Sequence, residues 1–178
     1  APVPENRLLA RLPPKDRTRL ESHLELIHLR KGKILYHIGD QITDVYFPLE
    51  GMISLLSTTQ EGGAVEVGMV GCEGMAGITT ILGARELEYQ MMVQIAGSAF
   101  RLKAELLCKE FDRTAALRDL LLRYTHVVVT QLSQSAVCNR FHTIEERLCR
   151  WLLIARDRWQ ADTLGCPEET LCRVLRAE

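Results

Sequence analysis

VGCEGMAGITTILGARELEYQMMVQIAGSAFRL, running from Val70 to Leu102, is the stretch whose reading decides the fold. Gly71, Gly74, Gly77 and Gly83 fall within thirteen residues, and an apolar run, Met91-Met92-Val93-Gln94-Ile95, follows them. Glycines at this density mark a loop that needs unusual backbone angles or the close approach of another group. Two readings stand at this point: tight turns between strands, or a cradle of backbone N–H groups for a small anion. The side chains that face the loop separate them.

Upstream of this loop the apolar residues come in short runs: Leu26 to Leu29, Ile34 to Tyr36, Val45 to Leu49, Met52 to Leu56 and Val65 to Val70. Turn signals at Lys31-Gly32, Gly39-Asp40, Glu50-Gly51 and Gly62-Gly63 separate them. Downstream, Gln90 to Ile95 and Ser98 to Leu102 add two strands that turn at Ala96-Gly97. The spacing predicts an antiparallel β roll closing around the glycine-rich loop. Before the strands, Asn6 to Leu12 reads as a short helix stopped by Pro13-Pro14, and a second helix starts near Asp16 with Leu20, Leu24 and Ile27 at helical spacing.

After the roll the period changes to that of a helix. Lys103 to Phe111 is short, whereas Thr114 to Cys138 is long: Leu117, Leu121, Tyr124, Val128, Gln131, Ser135 and Cys138 recur at alternating spacings of four and three. Such a heptad seam predicts a dimerisation helix. Leu117, Leu121, Tyr124, Val128 and Gln131 are expected to face the partner. Thr143-Ile144-Glu145-Glu146 is a capping box, and the helix it opens carries Ile144, Leu148, Trp151, Leu152, Ala155 and Trp159, interleaved with Arg147, Arg150, Arg156 and Arg158. That helix is expected to stop before Asp162-Thr163, with a further short helix from Glu168.

Composition sets the outer bounds. With 178 residues, 47% apolar and 25% charged, the chain belongs with ordinary globular proteins, and its formal charge of −1 carries no global nucleic-acid signature. The six cysteines form no C-x-x-C pair, and no histidine stands at zinc-site spacing. No leader pattern and no run of eighteen apolar residues is present, so the expectation is a cytoplasmic protein without a membrane partner. No Ser elbow, P-loop or H-E-x-x-H occurs, and Glu73, His126 and Cys108 form no nucleophile–base pair at motif spacing; an enzyme is not expected.

The series Lys31-Gly32, Gly39-Asp40, Tyr46-Phe47, Gly51, Glu66-Val67, Gly71, Glu73-Gly74 and Gly77, then a long helix and His142-Thr143-Ile144-Glu145-Glu146-Arg147-Leu148, resembles the Crp/Fnr family of bacterial transcription regulators. The resemblance implies an α+β protein: an antiparallel β roll (jelly roll, like cyclic-nucleotide-binding domains) with N-terminal helices, and a long C-terminal helix that makes a homodimer. It implies a sensor roll over 1–112, a dimerisation helix over 113–140 and the start of a DNA-binding region over 141–178. The expected pocket consists of Gly71, Glu73, Gly74, Gly77, Tyr89 and Gln90. Members that bind cyclic AMP carry an arginine and a hydroxyl residue where this chain has Tyr89-Gln90; Arg85 and Arg101 are the nearest substitutes. A buried phosphate without a cation loses a charge-assisted contact of roughly 1.5–3 kcal/mol, so cyclic AMP is expected to bind weakly or not at all. No metal or cofactor is expected with certainty, since the first cysteine is Cys72 and the histidines are scattered. The winged helix-turn-helix of the family is expected to be missing after Leu164, so that DNA would be reached only through a domain this chain lacks. Effector sensing in such a regulator is the leading reading; a genuine cyclic-nucleotide sensor or a stand-alone dimeric interaction module are its alternatives.

Overall fold

The computed structural model describes residues 4–58 and 63–159. Expectations for Gly62 in the β4–β5 turn and for the chain after Trp159 fall outside these residues. Among the described residues, seven strands form two antiparallel sheets: β1 (Glu25–Leu29), β7 (Gly97–Lys103) and β3 (Asp44–Pro48) in one, β2 (Ile34–Tyr36), β6 (Gln90–Ile95), β4 (Met52–Thr58) and β5 (Ala64–Val70) in the other, each in the order given. Helices α1 (Pro14–Glu21), α2 (Ala104–Arg113), α3 (Ala115–Phe141) and α4 (Ile144–Trp159) complete an α+β jelly-roll-like fold.

Alternation along β3 explains the layering. Val45 and Phe47 point into a cluster with Leu20, Leu102, Leu107, Leu117 and Leu121, while Tyr46 points into the roll interior with Leu29, Ile53, Leu87, Met91 and Val93. Both faces of β3 are therefore covered, and all five of its residues are buried. Gly51 turns the chain into β4 at φ 80°, and a Cβ there would lie 2.5 Å from the Ile95 carbonyl oxygen, so only glycine fits. Inside the roll the Tyr36 hydroxyl accepts from the Asp44 amide at 2.7 Å and donates to the Asp44 carbonyl at 3.1 Å.

At the N-terminus the expected helix is reduced to a 3-10 turn, Leu9–Arg11. Asn6 accounts for this. Its Oδ1 accepts from the Leu8 and Leu9 amides at 3.2 and 3.0 Å, and its Nδ2 donates to the carbonyls of Pro48 and Gly74 at 2.9 Å each. One buried side chain thus ties the N-terminal turn to the end of β3 and to the glycine loop. The next helix begins at Pro14, two residues before the expected start, since proline suits the first helical turn. It ends at Glu21, and Ile27 belongs to β1 rather than to a helical stripe.

The capping box forms as expected: the Thr143 amide donates to Glu146 at 2.8 Å, and the Glu146 amide to Thr143 Oγ1 at 3.3 Å. It starts α4 directly after α3 ends at Phe141, and α4 folds back onto β4, burying Trp151 and Ala155 against Met52.

Candidate functional site

The loop between β5 and β6 is pinned from within. Ala76 exchanges both backbone hydrogen bonds with Tyr46 at 2.8 and 3.1 Å, and a 3-10 turn, Ile78–Leu82, is bracketed by Gly77 at φ 94° and Gly83 at φ 89°. The Gly71 amide donates to Glu73 Oε1 at 3.2 Å, the Gly74 amide to the Gly71 carbonyl at 3.2 Å, and the Thr80 amide to the Gly77 carbonyl at 3.2 Å. Much of the loop's N–H capacity is therefore spent internally.

Two side chains from distant helices close on this loop. Tyr124 of α3 donates its hydroxyl to the Met75 carbonyl at 3.1 Å, and a Cβ at Gly74 would come within 2.2 Å of that hydroxyl. Arg158 of α4 pairs through Nε with Glu73 Oε1 at 2.9 Å, donates Nη2 to Gln131 Oε1 at 2.8 Å, and donates Nη1 to the Met69 carbonyl. A Cβ at Gly71 would meet the Arg158 side chain at 2.7 Å. Gly71 and Gly74 thus answer to the close approach of Arg158 and Tyr124. Burial pushes the Tyr124 phenol well above its ordinary range, with the Glu73 charge adding to it.

The six expected pocket residues lie on the loop and at the start of β6. Gly71, Glu73 and Gly74 face α3 and α4, Gly77 packs toward Val45, Tyr89 packs against the roll interior, and Gln90 pairs with Leu56 in the sheet. Of the two substitute arginines, Arg101 pairs with Glu25 at 2.6 Å on the face of β7 that stands beside Tyr46, and Arg85 is exposed.

A cavity of about 100 Å³ lies beside the loop instead, between β4, β5, α3 and α4. Its apolar wall includes Leu55, Val67, Val128, Leu132, Trp151 and Ile154; its polar wall includes Glu66, Gln131, Ser135, Asn139, Arg147, Arg150 and Arg158. Tyr124, Val128 and Gln131, expected to face a partner, line this cavity. Leu117 and Leu121, expected at the same interface, are 3% and 1% exposed in the chain's own core. For those two the expectation is corrected: the heptad spacing is satisfied by the chain's own roll, because α2 and the roll cover that face first.

Glu66 is the carboxyl that lines the cavity. Its Oε2 accepts from Ser54 Oγ at 2.5 Å and its Oε1 from Trp151 Nε1 at 2.7 Å. Burial raises its pKa, against the hydrogen bonds and the charge of Arg158. Sequence reading missed Glu66, Arg147, Arg150 and Arg158 as site residues. A signal existed: Arg147, Arg150, Ile154 and Arg158 recur at spacings of three, four and four and so share one face of α4.

Residues 26–113 match the family model of the cyclic nucleotide-binding domain. In fold the whole resembles regulators of the Crp/Fnr type. The c-di-GMP responsive global regulator CLP from Xanthomonas campestris aligns at 13% identity and TM-score 0.73, over 93% of this chain and 86% of that one. A Crp/Fnr-family putative transcriptional regulator from Eubacterium rectale aligns at 15% identity and TM-score 0.75, over 96% and 80%. The regulatory subunit of a cAMP-independent protein kinase A from Trypanosoma brucei aligns at 16% identity and TM-score 0.58, over 70% of this chain and 44% of that one. At these identities the likeness establishes the fold alone. No curated protein sequence matches the chain. Among the described residues no cluster of histidine, cysteine and carboxylate side chains suits a metal ion, and no helix is long and apolar enough to cross a membrane.

Proposed function

We propose that this chain is the effector-sensing and dimerisation part of a Crp/Fnr-type, DNA-binding transcription regulator, that its effector enters the cavity between β5, α3 and α4, and that cyclic AMP is not that effector. One observation carries the reading. The cavity is roofed by α4, the helix leading out of the sensor, and α4 is fastened to the sensor by Arg158–Glu73 and Trp151–Glu66. An occupant that prefers one setting of α4 shifts its population, which is all that effector control requires. A DNA-reading domain beyond α4 would receive the change.

The nucleotide part of the reading rests on the loop. Tyr89-Gln90 supplies no cation, and the carboxylate suited to a ribose hydroxyl, Glu73, is already paired with Arg158. Isothermal titration of the purified chain with cyclic AMP, with cyclic GMP as control, is expected to give no saturable heat. One-site binding at micromolar affinity would replace this reading with that of a true cyclic-nucleotide sensor.

Dimerisation is assigned to the other face of α3. Leu122, Val129 and Val137 are 46%, 54% and 48% exposed and follow each other at seven and eight residues, two helical turns apart. A Leu122→Arg, Val129→Arg double variant is expected to be monomeric in light scattering with its thermal midpoint little changed. An unchanged dimer mass, or a wild-type chain that is already monomeric, would remove the assignment.

A further inference from the structure

We propose that the cavity between β5, α3 and α4 takes a small organic anion, a carboxylate on an apolar body no larger than one ring, with Arg150 as the cation that receives the carboxylate. This rests on the reading of that cavity as the effector site, and adds the ligand's chemical class.

Charge balance carries the argument. The charged groups facing the cavity are Glu66, Arg147, Arg150 and Arg158. Arg158 is neutralised from outside the wall by Glu73 at 2.9 Å. Glu66 has both oxygens engaged, by Ser54 and Trp151, and burial favours its neutral form. Arg150 makes no ion pair among the described residues; its contact is a long one, Nη1 to Ser135 Oγ at 3.4 Å. Arg150 therefore presents a guanidinium fork without an ion-pair partner among the described residues, whose geometry suits two parallel bonds to a carboxylate. Val128, Leu132 and Trp151 line the same cavity, a surface for an apolar body.

Size excludes larger anions. An apolar cavity of about 150 Å³ holds a benzene ring, whereas this one is near 100 Å³ and partly open to solvent, so it encloses less than one whole ring. A purine nucleotide exceeds it several-fold. A single ring enters it only in part, with its carboxylate outside the apolar wall.

Benzoate is the probe, and benzamide is its neutral counterpart of the same shape. Titration calorimetry, with Trp151 fluorescence followed in a Trp159→Phe background, is expected to show one benzoate site, with benzamide weaker by about ten- to hundredfold, the value of a charge-assisted contact. Arg150→Gln should lose the same factor, and Arg156→Gln, an exposed change on the same helix, should lose nothing. Val128→Trp, which fills the cavity, should abolish binding of both probes. Absence of benzoate binding at roughly 10 mM, equal affinity for benzamide, or an unchanged Arg150→Gln variant would overturn the anion assignment. If benzamide still binds and Val128→Trp still blocks it, the cavity stands as the effector site and only the ligand class falls. If benzoate binds equally well to a folded Val128→Trp variant, the location falls too. The comparisons between probes and between arginine variants do not depend on that variant folding.

Discussion

The two halves of α3 lie on the same roll and are built for different purposes. The first half buries Leu117 and Leu121 among Val45, Phe47, Leu102 and Leu107. The second half lays Tyr124, Gln131, Ser135 and Cys138 over a cavity lined by a half-buried carboxyl and three arginines. A continuous seven-residue pattern therefore hides a change of role at about Tyr124. Up to that residue the helix holds the fold together; beyond it, the helix forms one wall of a site.

Breaking the first half should have the largest effect. Leu121→Ala removes a side chain that is 1% exposed in a dense cluster, and such truncations cost about 2–5 kcal/mol. Chemical denaturation is expected to show a loss in that range. A change near zero would mean that α3 is not part of the roll's core and that the corrected face of the helix was wrongly placed.

The boundary between the halves can be probed at Gly74. Its Cβ position lies 2.2 Å from the Tyr124 hydroxyl and 2.5 Å from Cζ, so Gly74→Ala must push the ring away and break its bond to the Met75 carbonyl. A loss of about 1–3 kcal/mol is expected from this overpacking. Tyr124→Leu, which withdraws the ring, should make the alanine nearly harmless, so the two changes combine non-additively. Additive losses would show that Tyr124 and Gly74 do not meet.

How far the sequence can be read follows the same division. Runs of alternating apolar residues located the strands, Gly51 located the turn into β4, and the capping box located the start of α4, because each is a local property with a local physical cause. Which face of α3 turns inward was not local: α2 and the roll compete for the seam residues, and no spacing records that competition. Arg158 was legible only as one arginine in an interleaved row. Its partner Glu73 and the pairing of Trp151 with Glu66, 85 residues away, arise when α4 folds back, which the sequence signals merely by placing Trp151 and Ala155 on one face. Asn6 escaped for a similar reason, since two of its four bonds reach Pro48 and Gly74.

The second half should respond less in stability and more in local motion. Arg158→Met removes the partner of Glu73, whose Oε2 already has no hydrogen-bond partner and is shielded from solvent. Glu73 keeps 28% of its side chain exposed, so water softens the loss to about 1–3 kcal/mol, below that of a fully buried pair. Hydrogen exchange should quicken in α4 and leave β3 and β7 unchanged. Adding Glu73→Gln should recover part of the loss, as the orphaned charge goes with it. Uniform acceleration across the roll would instead make Arg158 part of the global core.

Glu66 gives the smallest and most specific test. Because burial raises its folded-state pKa above the ordinary value of 4.5, the folded chain holds this proton more tightly than the unfolded one. The stabilisation is fully present below the unfolded pKa and is lost as pH rises through the folded value, so this group makes the protein less stable from about 4.5 upward. Glu66→Gln keeps an oxygen for Trp151 and cannot ionise. Its thermal midpoint should match wild type in acid, exceed it near neutrality, and lack the downward slope between. Parallel curves would mean that Glu66 titrates normally and that the cavity floor is open to water. A slope present in wild type and absent in the variant would confirm a dry, charge-averse floor beneath α4, the opposite of the apolar packing under Leu117 and Leu121.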